Sequence, residues 1–323
     1  VLGRKWLSSK LIPDLSTLTQ LYGARSFVVV ERRVLEQVQG ASGLAEVPEG
    51  LLAICDDLPD LLALDAEGNL LKTLRISAEP PVLVDGRVPK KHKRDFEAIA
   101  DYRQGKETHL LVFGSGSKSP QRCFVVKAVW LETLKSHKEY NTSKFYQHLL
   151  EVANISDEQL NIEGATVFDG KIALANRGTN QIFWVDLKAF SNFLDSDCNG
   201  PIPAVTVKSY TLPQILGVHT GFSGACTDLR RNRIYFGASA EDTVDWIQDG
   251  HVHGSFIGWI VRPAAADGGE MHVVPVTGDD GEFLEIKIEA LALLPQVESR
   301  VRMLVMTDND GGNSEMLTLE LRN

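Results

Sequence analysis

The sequence predicts an all-β fold, a β-propeller of five four-stranded blades in a single domain over residues 1–323, with six blades as the alternative. Three observations carry this expectation. A block of small residues behind a Ser or Glu recurs along the chain, strand-like apolar runs follow each recurrence, and little helical periodicity lies between them. The blocks are Ser42-Gly43-Leu44-Ala45, Glu97-Ala98-Ile99-Ala100, Glu163-Gly164-Ala165-Thr166, Ser223-Gly224-Ala225-Cys226 and Glu289-Ala290-Leu291-Ala292, and they start 55, 66, 60 and 66 residues apart. Two β-sandwich domains carrying chance matches are the competing architecture.

The elements follow in order. Each block opens a first strand lining the central channel, where only Gly, Ala or Ser leaves room for the neighbouring blades. After a turn comes a second strand: Leu51 to Cys55, His109 to Phe113, Lys171 to Ala175, Arg233 to Phe236 and Val301 to Met306. These runs end in Asp56-Asp57, Gly114-Ser115-Gly116-Ser117, Asn176-Arg177-Gly178, Ser239-Ala240-Glu241-Asp242 and Thr307-Asp308-Asn309-Asp310. Further strand-like runs complete each unit, such as Leu61 to Leu64 with Leu70 to Ile76, or Gln181 to Leu187 with Ala204 to Tyr210. The last repeat ends one strand short after Met316 to Leu321, and Ser26 to Arg32 is a spare strand. An N-terminal strand that completes the last blade accounts for both and leaves no free sheet edge. Two segments read as helices on the outside: Ser143 to Val152, capped by Thr142 or Ser143 with an apolar face through Phe145, Leu149 and Val152, and Leu187 to Leu194.

Composition narrows the function classes. With 43% hydrophobic and 24% charged residues the chain has the make-up of a globular protein. A formal charge of −10 excludes a broad basic surface for nucleic acid, so any anion site is local. No apolar run approaches the roughly 18 residues of a membrane span, and no signal-peptide run opens the chain. It therefore reads as soluble, with cytoplasm and periplasm both open. Cys55, Cys123, Cys198 and Cys226 are too far apart for a CxxC metal or redox pair.

In a propeller, the loops entering first strands and those joining second to third strands open on one face. Glu97, Glu163 and Glu289 would point to the channel mouth there, with Ser42 and Ser223 at the equivalent places. Converging carboxylates repel one another unless a cation lies between them. Ca²⁺ suits this role, as a hard ion taking six to eight oxygen ligands. The candidate metal ligands are thus Glu97, Glu163, Glu289, Asp308 and Asp310, with Asp56, Asp57 and Asn176 as further oxygen donors. The bland alternative has each Glu bonded to backbone amides of the next blade. Lys90-Lys91-His92-Lys93-Arg94 enters a first strand on the same face, and Ser117, Lys118, Arg122 and Arg177 lie in the other class of loop. Lys91, Lys93, Arg94, Ser117, Lys118 and Arg177 are accordingly the candidate contacts to a small anionic ligand or substrate, and Asp57 the candidate general base. Glu241 serves as a comparison residue outside the central set.

Three weaker matches have plainer readings. Asp195 to Gly200 resembles the first half of a calcium loop, but Thr206 stands where the bidentate Glu belongs, so an Asn-Gly turn is expected. His251-Val252-His253 reads as exposed loop histidines. Gly221-Phe222-Ser223-Gly224 falls short of a nucleophile elbow, and the repeat explains Ser223.

The blocks Asp95-Phe96-Glu97-Ala98-Ile99-Ala100 leading to Phe113-Gly114-Ser115-Gly116-Ser117, Asn161-Ile162-Glu163-Gly164-Ala165 leading to Ala175-Asn176-Arg177-Gly178, and Ile288-Glu289-Ala290-Leu291-Ala292 leading to Thr307-Asp308-Asn309-Asp310-Gly311 resemble the phytase-like esterase propellers and neighbouring bacterial propeller families of unknown function. The likeness runs from about Ser42 to Leu321. It implies a propeller with a Ca²⁺ site and a hydrolase acting on phosphate esters. The chain departs from the pattern where Ala stands for Gly at Ala98 and Ala290, and where Ser stands for Glu at Ser42 and Ser223. Three functions remain open: a metal-dependent phosphoester hydrolase, a non-catalytic propeller binding a small ligand or a protein partner, and a calcium-dependent lactonase.

Overall fold

The computed structural model describes residues 25–78, 83–84, 86–242, 250–263, 268–295, 300–309 and 312–322. Asp310 lies outside the described residues. The chain opens with β1 (Ser26–Gln39) and then forms its first unit from β2 (Ala41–Val47), β3 (Gly50–Cys55), β4 (Asp60–Leu64) and β5 (Leu70–Arg75). The second unit is β6 (Phe96–Gln104), β7 (Glu107–Gly114), β8 (Phe124–Leu131) and β9 (Thr133–Asn141), followed by helix α1 (Ser143–Ala153). The third is β10 (Ile162–Phe168), β11 (Lys171–Asn176), β12 (Gln181–Asp186) and β13 (Val205–Ser209), with α2 (Leu187–Asp195) between the last two. After the short β14 (Gln214–Ile215) come β15 (Val218–Asp228), β16 (Arg233–Asp242), β17 (His251–Val261) and β18 (Glu270–Thr277). The last unit is β19 (Ile288–Leu293), β20 (Arg302–Thr307) and β21 (Asn313–Arg322), completed by β1.

Every unit is an antiparallel meander, and its first strand packs against the first strands of its neighbours, β19 returning to β2. This ring of β2, β6, β10, β15 and β19 is the propeller that the repeat predicts. Closure occurs as expected: β1 runs antiparallel to β21 from Ser26↔Arg322 to Gln39↔Asn313. A short parallel pairing of Phe27 with Val276 and Val28 with Thr277 also joins β1 to β18, so one nine-stranded sheet spans the last two units. The edge strand is thereby held by backbone bonds on both sides.

Burial explains why the inner strands read as continuous apolar runs instead of alternating ones. Both faces of β3 (Leu51 to Cys55) and β7 (Leu110 to Phe113) are covered by neighbouring units. Five apolar clusters form, one between each consecutive pair of units, and the cluster joining Ala290, Leu304 and Met306 to Leu44, Leu51 and Ala53 closes the circle. Outer strands face water instead. In β9 the exposed Lys135 and Lys138 blunt the edge.

The helices occupy the expected segments but differ from expectation in their packing. Phe145, Tyr146, Leu149 and Leu150 of α1 and Phe190, Phe193 and Leu194 of α2 are buried in the cluster between the second and third units, with the Phe145 and Phe190 rings 4.9 Å apart. Val152, expected on the apolar face, is 40% exposed. The helices are part of a core because the aromatic side chains of both fill one space that the two sheets leave between them. Thr142 is the N-cap residue of α1, but its hydroxyl donates to Cys123 O (3.0 Å) and does not cap the helix. His253 is a second correction, being a buried residue of β17 and not an exposed loop histidine. Asp195 and Asp197 are spent on surface ion pairs with Lys127 and Lys138, in keeping with a turn. No helix among the described residues is long and apolar enough to cross a membrane.

Candidate functional site

The same irregularity recurs in all five first strands. Pairing passes from Ala41↔Cys55 to Gly43↔Ile54, from Phe96↔Gly114 to Ala98↔Phe113, from Ile162↔Asn176 to Gly164↔Ala175, from Phe222↔Ala238 to Ala225↔Phe236 and from Ile288↔Thr307 to Ala290↔Met306. The extra residue of each bulge is the repeat residue: Ser42, Glu97, Glu163, Ser223 with Gly224, and Glu289. A bulge re-aims one side chain without ending the strand. Around four of the five bulges the backbone closes in the same way: Asp56 N donates to Gly40 O, Ser115 N to Asp95 O, Arg177 N to Asn161 O and Asp308 N to Lys287 O, at 2.8 to 3.4 Å. Residues two positions before the bulge and those ending the second strand are therefore brought to one rim.

This rim encloses a polar cavity of ≈ 300 Å³ whose lining, among the described residues, holds eight carboxylates, Asp56, Asp57, Asp95, Glu97, Glu163, Glu241, Glu289 and Asp308, against six cations, Arg87, Lys90, Lys93, Arg122, Arg177 and Lys287. On one side Lys93 Nζ pairs with Asp56 and lies 2.7 Å from Asp95 Oδ1, while Arg122 Nη1 lies 2.7 Å from Asp95 Oδ2. Ser115 and Ser117 also donate to Asp95 Oδ2. On the other, Arg177 reaches Glu163 (2.9 Å) and Glu241 (2.7 Å) and lies 3.7 Å from Glu289. Lys287 Nζ adds contacts to Glu241 (3.4 Å) and Glu289 (3.3 Å). Asn161 Nδ2 donates to the second oxygen of Glu163 at 2.7 Å.

Burial raises the carboxyl pKa values here, and the neighbouring charges decide by how much. Desolvation, aided by the Asp56 charge and opposed by Arg87, raises Asp57 to about 6. Glu289 is raised to about 8, first by burial and then by Glu163, against the pull of Lys287 and Arg177. Glu97 is raised well above the carboxylate range by burial and by the charges of Asp95 and Asp56. Burial also raises Glu163, with Arg177 opposing it. Lys93, whose burial would lower its pKa, is instead raised by Asp95 and Asp56. Three oxygen acceptors stand out. Asp57 Oδ1 and Glu289 Oε1 are buried without a hydrogen bond, and Glu97 makes none among the described residues. The ligand-capable oxygens of Asp56, Asp95 and Glu97 all lie within 4.8 Å of one another.

The structure brings Asp57, Lys93, Glu97, Ser117, Glu163, Arg177, Glu289 and Asp308 to this one cavity. Lys91 and Lys118 are exposed and do not line it, and Arg94 turns away to Glu139 (3.1 Å) and over the Phe124 ring (3.6 Å). Glu241, set aside as a comparison residue, lines the cavity, because β16 continues past Ser239, the serine that matches Ser115, and carries Glu241 two residues beyond it. Asp95 and Lys287 were not singled out, although the repeat holds their signal two residues before each bulge. Arg87 comes from the loop after the first unit, where Gln39 Oε1 accepts from it at 2.6 Å, and no sequence pattern marks it. Ser223 donates to or accepts from Ser239 (3.1 Å), a strand-to-strand bond and not a nucleophile's setting. Below the bulges the channel shrinks to ≈ 10 Å³ between Gly43, Ala98, Gly164 and Gly224. Gly164 and Gly224 touch so closely that a Cβ on Gly164 would lie 2.9 Å from the Gly224 carbonyl carbon.

The chain belongs to a family described as a family of unknown function (DUF6929), whose model matches residues 37–321. No curated protein matches it. Among solved structures it is similar to Myxococcus xanthus glutaminyl cyclase (12% identity, TM-score 0.47, 93% of this chain and 98% of that one). It is also similar to the PQQ-bound aldose sugar dehydrogenase of Streptomyces coelicolor (12%, 0.45, 92% and 98%) and to an α-L-arabinanase mutant of Cellvibrio cellulosa (11%, 0.45, 88% and 92%).

Proposed function

We propose that the mouth of the channel is a divalent-cation centre that holds a small anionic ligand, with Ca²⁺ as the ion. The observation that carries this reading is the unmet demand for positive charge. Among the described lining residues carboxylates exceed cations by two, Arg87, Lys93, Arg122, Arg177 and Lys287 are already engaged by carboxylates, and the buried acceptors Asp57 Oδ1 and Glu289 Oε1 have no hydrogen bond. One divalent ion balances the wall. Glu97 is its principal ligand, with Asp56 and Asp95 beside it, and the remaining coordination positions face the solvent, where a phosphate or carboxylate group enters. Glu163, Glu289 and Asp308 belong to the opposite wall, where they hold Arg177 and Lys287 in place. Hydrolysis of a phosphoester is the chemistry that this arrangement suits. Bound there, the ion would polarise the bond to be broken, as the phytase-like resemblance also suggests, and Asp57, with one oxygen held 3.0 Å from Arg87 and the other without a hydrogen bond, would take a proton from water.

Calcium titration calorimetry on EDTA-treated protein tests the ion. We expect saturable binding, a raised melting temperature, and at least tenfold weaker binding for Glu97→Gln than for the wild type. No binding at millimolar Ca²⁺, or an unchanged affinity in Glu97→Gln, overturns the reading. A screen of phosphate esters and lactones with and without the ion then separates hydrolase from binding module: turnover abolished by chelation supports the first.

A further inference from the structure

Arg122 lines the mouth cavity and is 7% exposed, yet its bonds use only part of its guanidinium. Nη1 lies 2.7 Å from Asp95 Oδ2 and donates to Ser117 Oγ at 2.8 Å. Both contacts are made by Nη1. Nε, on the edge it shares with Nη2, is buried and has no hydrogen bond. A donor closed off from water without an acceptor is costly, so this edge calls for an explanation. The other cations of the lining are spent differently. Arg177 is divided among Glu163, Glu241 and Glu289, and Lys287 contacts Glu241 and Glu289. Arg87 is held between Asp57 and Gln39. Arg122 has Asp95 as its single carboxylate partner within 4.0 Å among the described residues, and Lys93 shares that carboxylate. Apart from Ala41 and Val88, the described lining side chains are polar, charged or absent, and no aromatic ring is among them.

We propose that Arg122 receives the anionic group of the ligand on its Nε and Nη2 edge, and that the ligand is a small oxyanion without an aromatic body. This inference rests on the reading of the mouth as a cation centre: Asp95 stands beside the ion and also holds Arg122, so an oxyanion seated there bridges the ion and the guanidinium. The planar fork of an arginine matches two oxygens of a phosphate or a carboxylate, and such a group gives Nε the acceptor it lacks. A cationic ligand is repelled by the same guanidinium. Arg177, which the sequence marks for this role, is already taken by three carboxylates. An aromatic body gains nothing from a wall of charged side chains, whereas a small polar one keeps its hydrogen bonds there.

Calorimetry with methylphosphonate and with acetate, on calcium-loaded and on EDTA-treated protein, tests this. Saturable binding of either probe is expected, and the tighter of the two names the oxyanion. Arg122→Lys keeps a positive charge beside Asp95 but loses the fork, so the tighter probe should bind about tenfold more weakly, the loss of one charge-assisted contact, while calcium affinity is unchanged. Lys118→Gln removes a charge from the same rim outside the lining and should bind the probe as the wild type does. In the wild-type protein an arginine Nε–H resonance should move downfield as the probe saturates, a readout that needs no variant. Melting curves confirm that each variant is folded. No saturable binding at millimolar probe in either form, equal probe affinity in Arg122→Lys, or no shifted Nε–H resonance overturns the proposal. So does a fall in calcium affinity in Arg122→Lys with probe binding in EDTA unchanged, since Arg122 then only positions Asp95. Tighter binding of phenylphosphonate than of methylphosphonate overturns the assignment to a non-aromatic ligand. A wild type that binds no calcium, but whose probe affinity in EDTA still falls in Arg122→Lys, overturns the cation centre and leaves the role of Arg122 standing.

Discussion

Arg177 is 4% exposed and touches three glutamates from two different units and the closing one, so Arg177→Met is the most informative single change at the mouth. Methionine keeps the volume of the stem and removes the charge. Glu163, Glu241 and Glu289 are then left buried with only Lys287 to offset them, and stranding a buried partner costs about 3–5 kcal/mol. For a chain of this size that corresponds to a fall in melting temperature of roughly 4–7 °C. The pH dependence distinguishes this cause from a packing defect. Burial raises Glu163 and Glu289 in the folded protein, and Arg177 opposes the rise in both. Without the guanidinium their folded pKa values rise further above those of the unfolded chain. The variant's folded state therefore binds extra protons between about pH 5 and 8, and its stability increases as pH falls through that window. Paired denaturant melts at pH 5 and pH 8 should show the deficit shrinking by at least half at the lower pH. An unchanged melting temperature, or a deficit equal at both pH values, would refute the account of Arg177 as the counter-ion of the wall.

Other consequences can be measured with the same melts. Gly221 faces Arg177 so closely that a Cβ would overlap the arginine Cγ, and Gly221→Ala is expected to destabilise by about 1–3 kcal/mol, in the Arg177→Met background as well, because methionine keeps a Cγ at that place. Phe27 of the closing strand is fully buried, so Phe27→Ala should cost about 3–5 kcal/mol; a loss below 1 kcal/mol would mean that β1 does not close the ring. Asp101, raised by burial to about 6, favours its neutral form in the folded state, so its contribution is full below about pH 4 and is lost as pH rises through 6. Asp101→Asn should accordingly gain about 1–3 kcal/mol on the wild type at pH 8 and nothing at pH 4, as read from melts across that range.

The architecture was legible because it rests on local chemistry repeated with a period. Each unit must bury both faces of its inner strands, so apolar runs recur, and crowding at the channel admits only small residues, so Gly and Ala recur behind each bulge. The spare strand at one end and the missing strand at the other are visible for the same reason. A sheet edge left open is costly, and chain order records which strand covers it. The helices were legible as periods of apolar residues but not in their packing, since which neighbour receives Phe145 or Phe190 depends on space between two sheets that pair far apart in sequence.

The site divides along the same line. Position in the repeat marks Glu97, Glu163 and Glu289 as channel residues, and the sequence reading that converging carboxylates require a cation is sound electrostatics. Which cation answers each of them is a matter of distances between side chains 14 to 112 residues apart, such as Arg177 to Glu163 and Arg177 to Glu289. Only the folded ring shows that Arg177 and Lys287 neutralise one wall, that Lys93 and Arg122 secure Asp95 on the other, and that Glu97 is left without a bonded partner among the described residues. Periodicity is a property of the chain and survives in its sequence; charge pairing depends on through-space separation, and only the tertiary structure sets that.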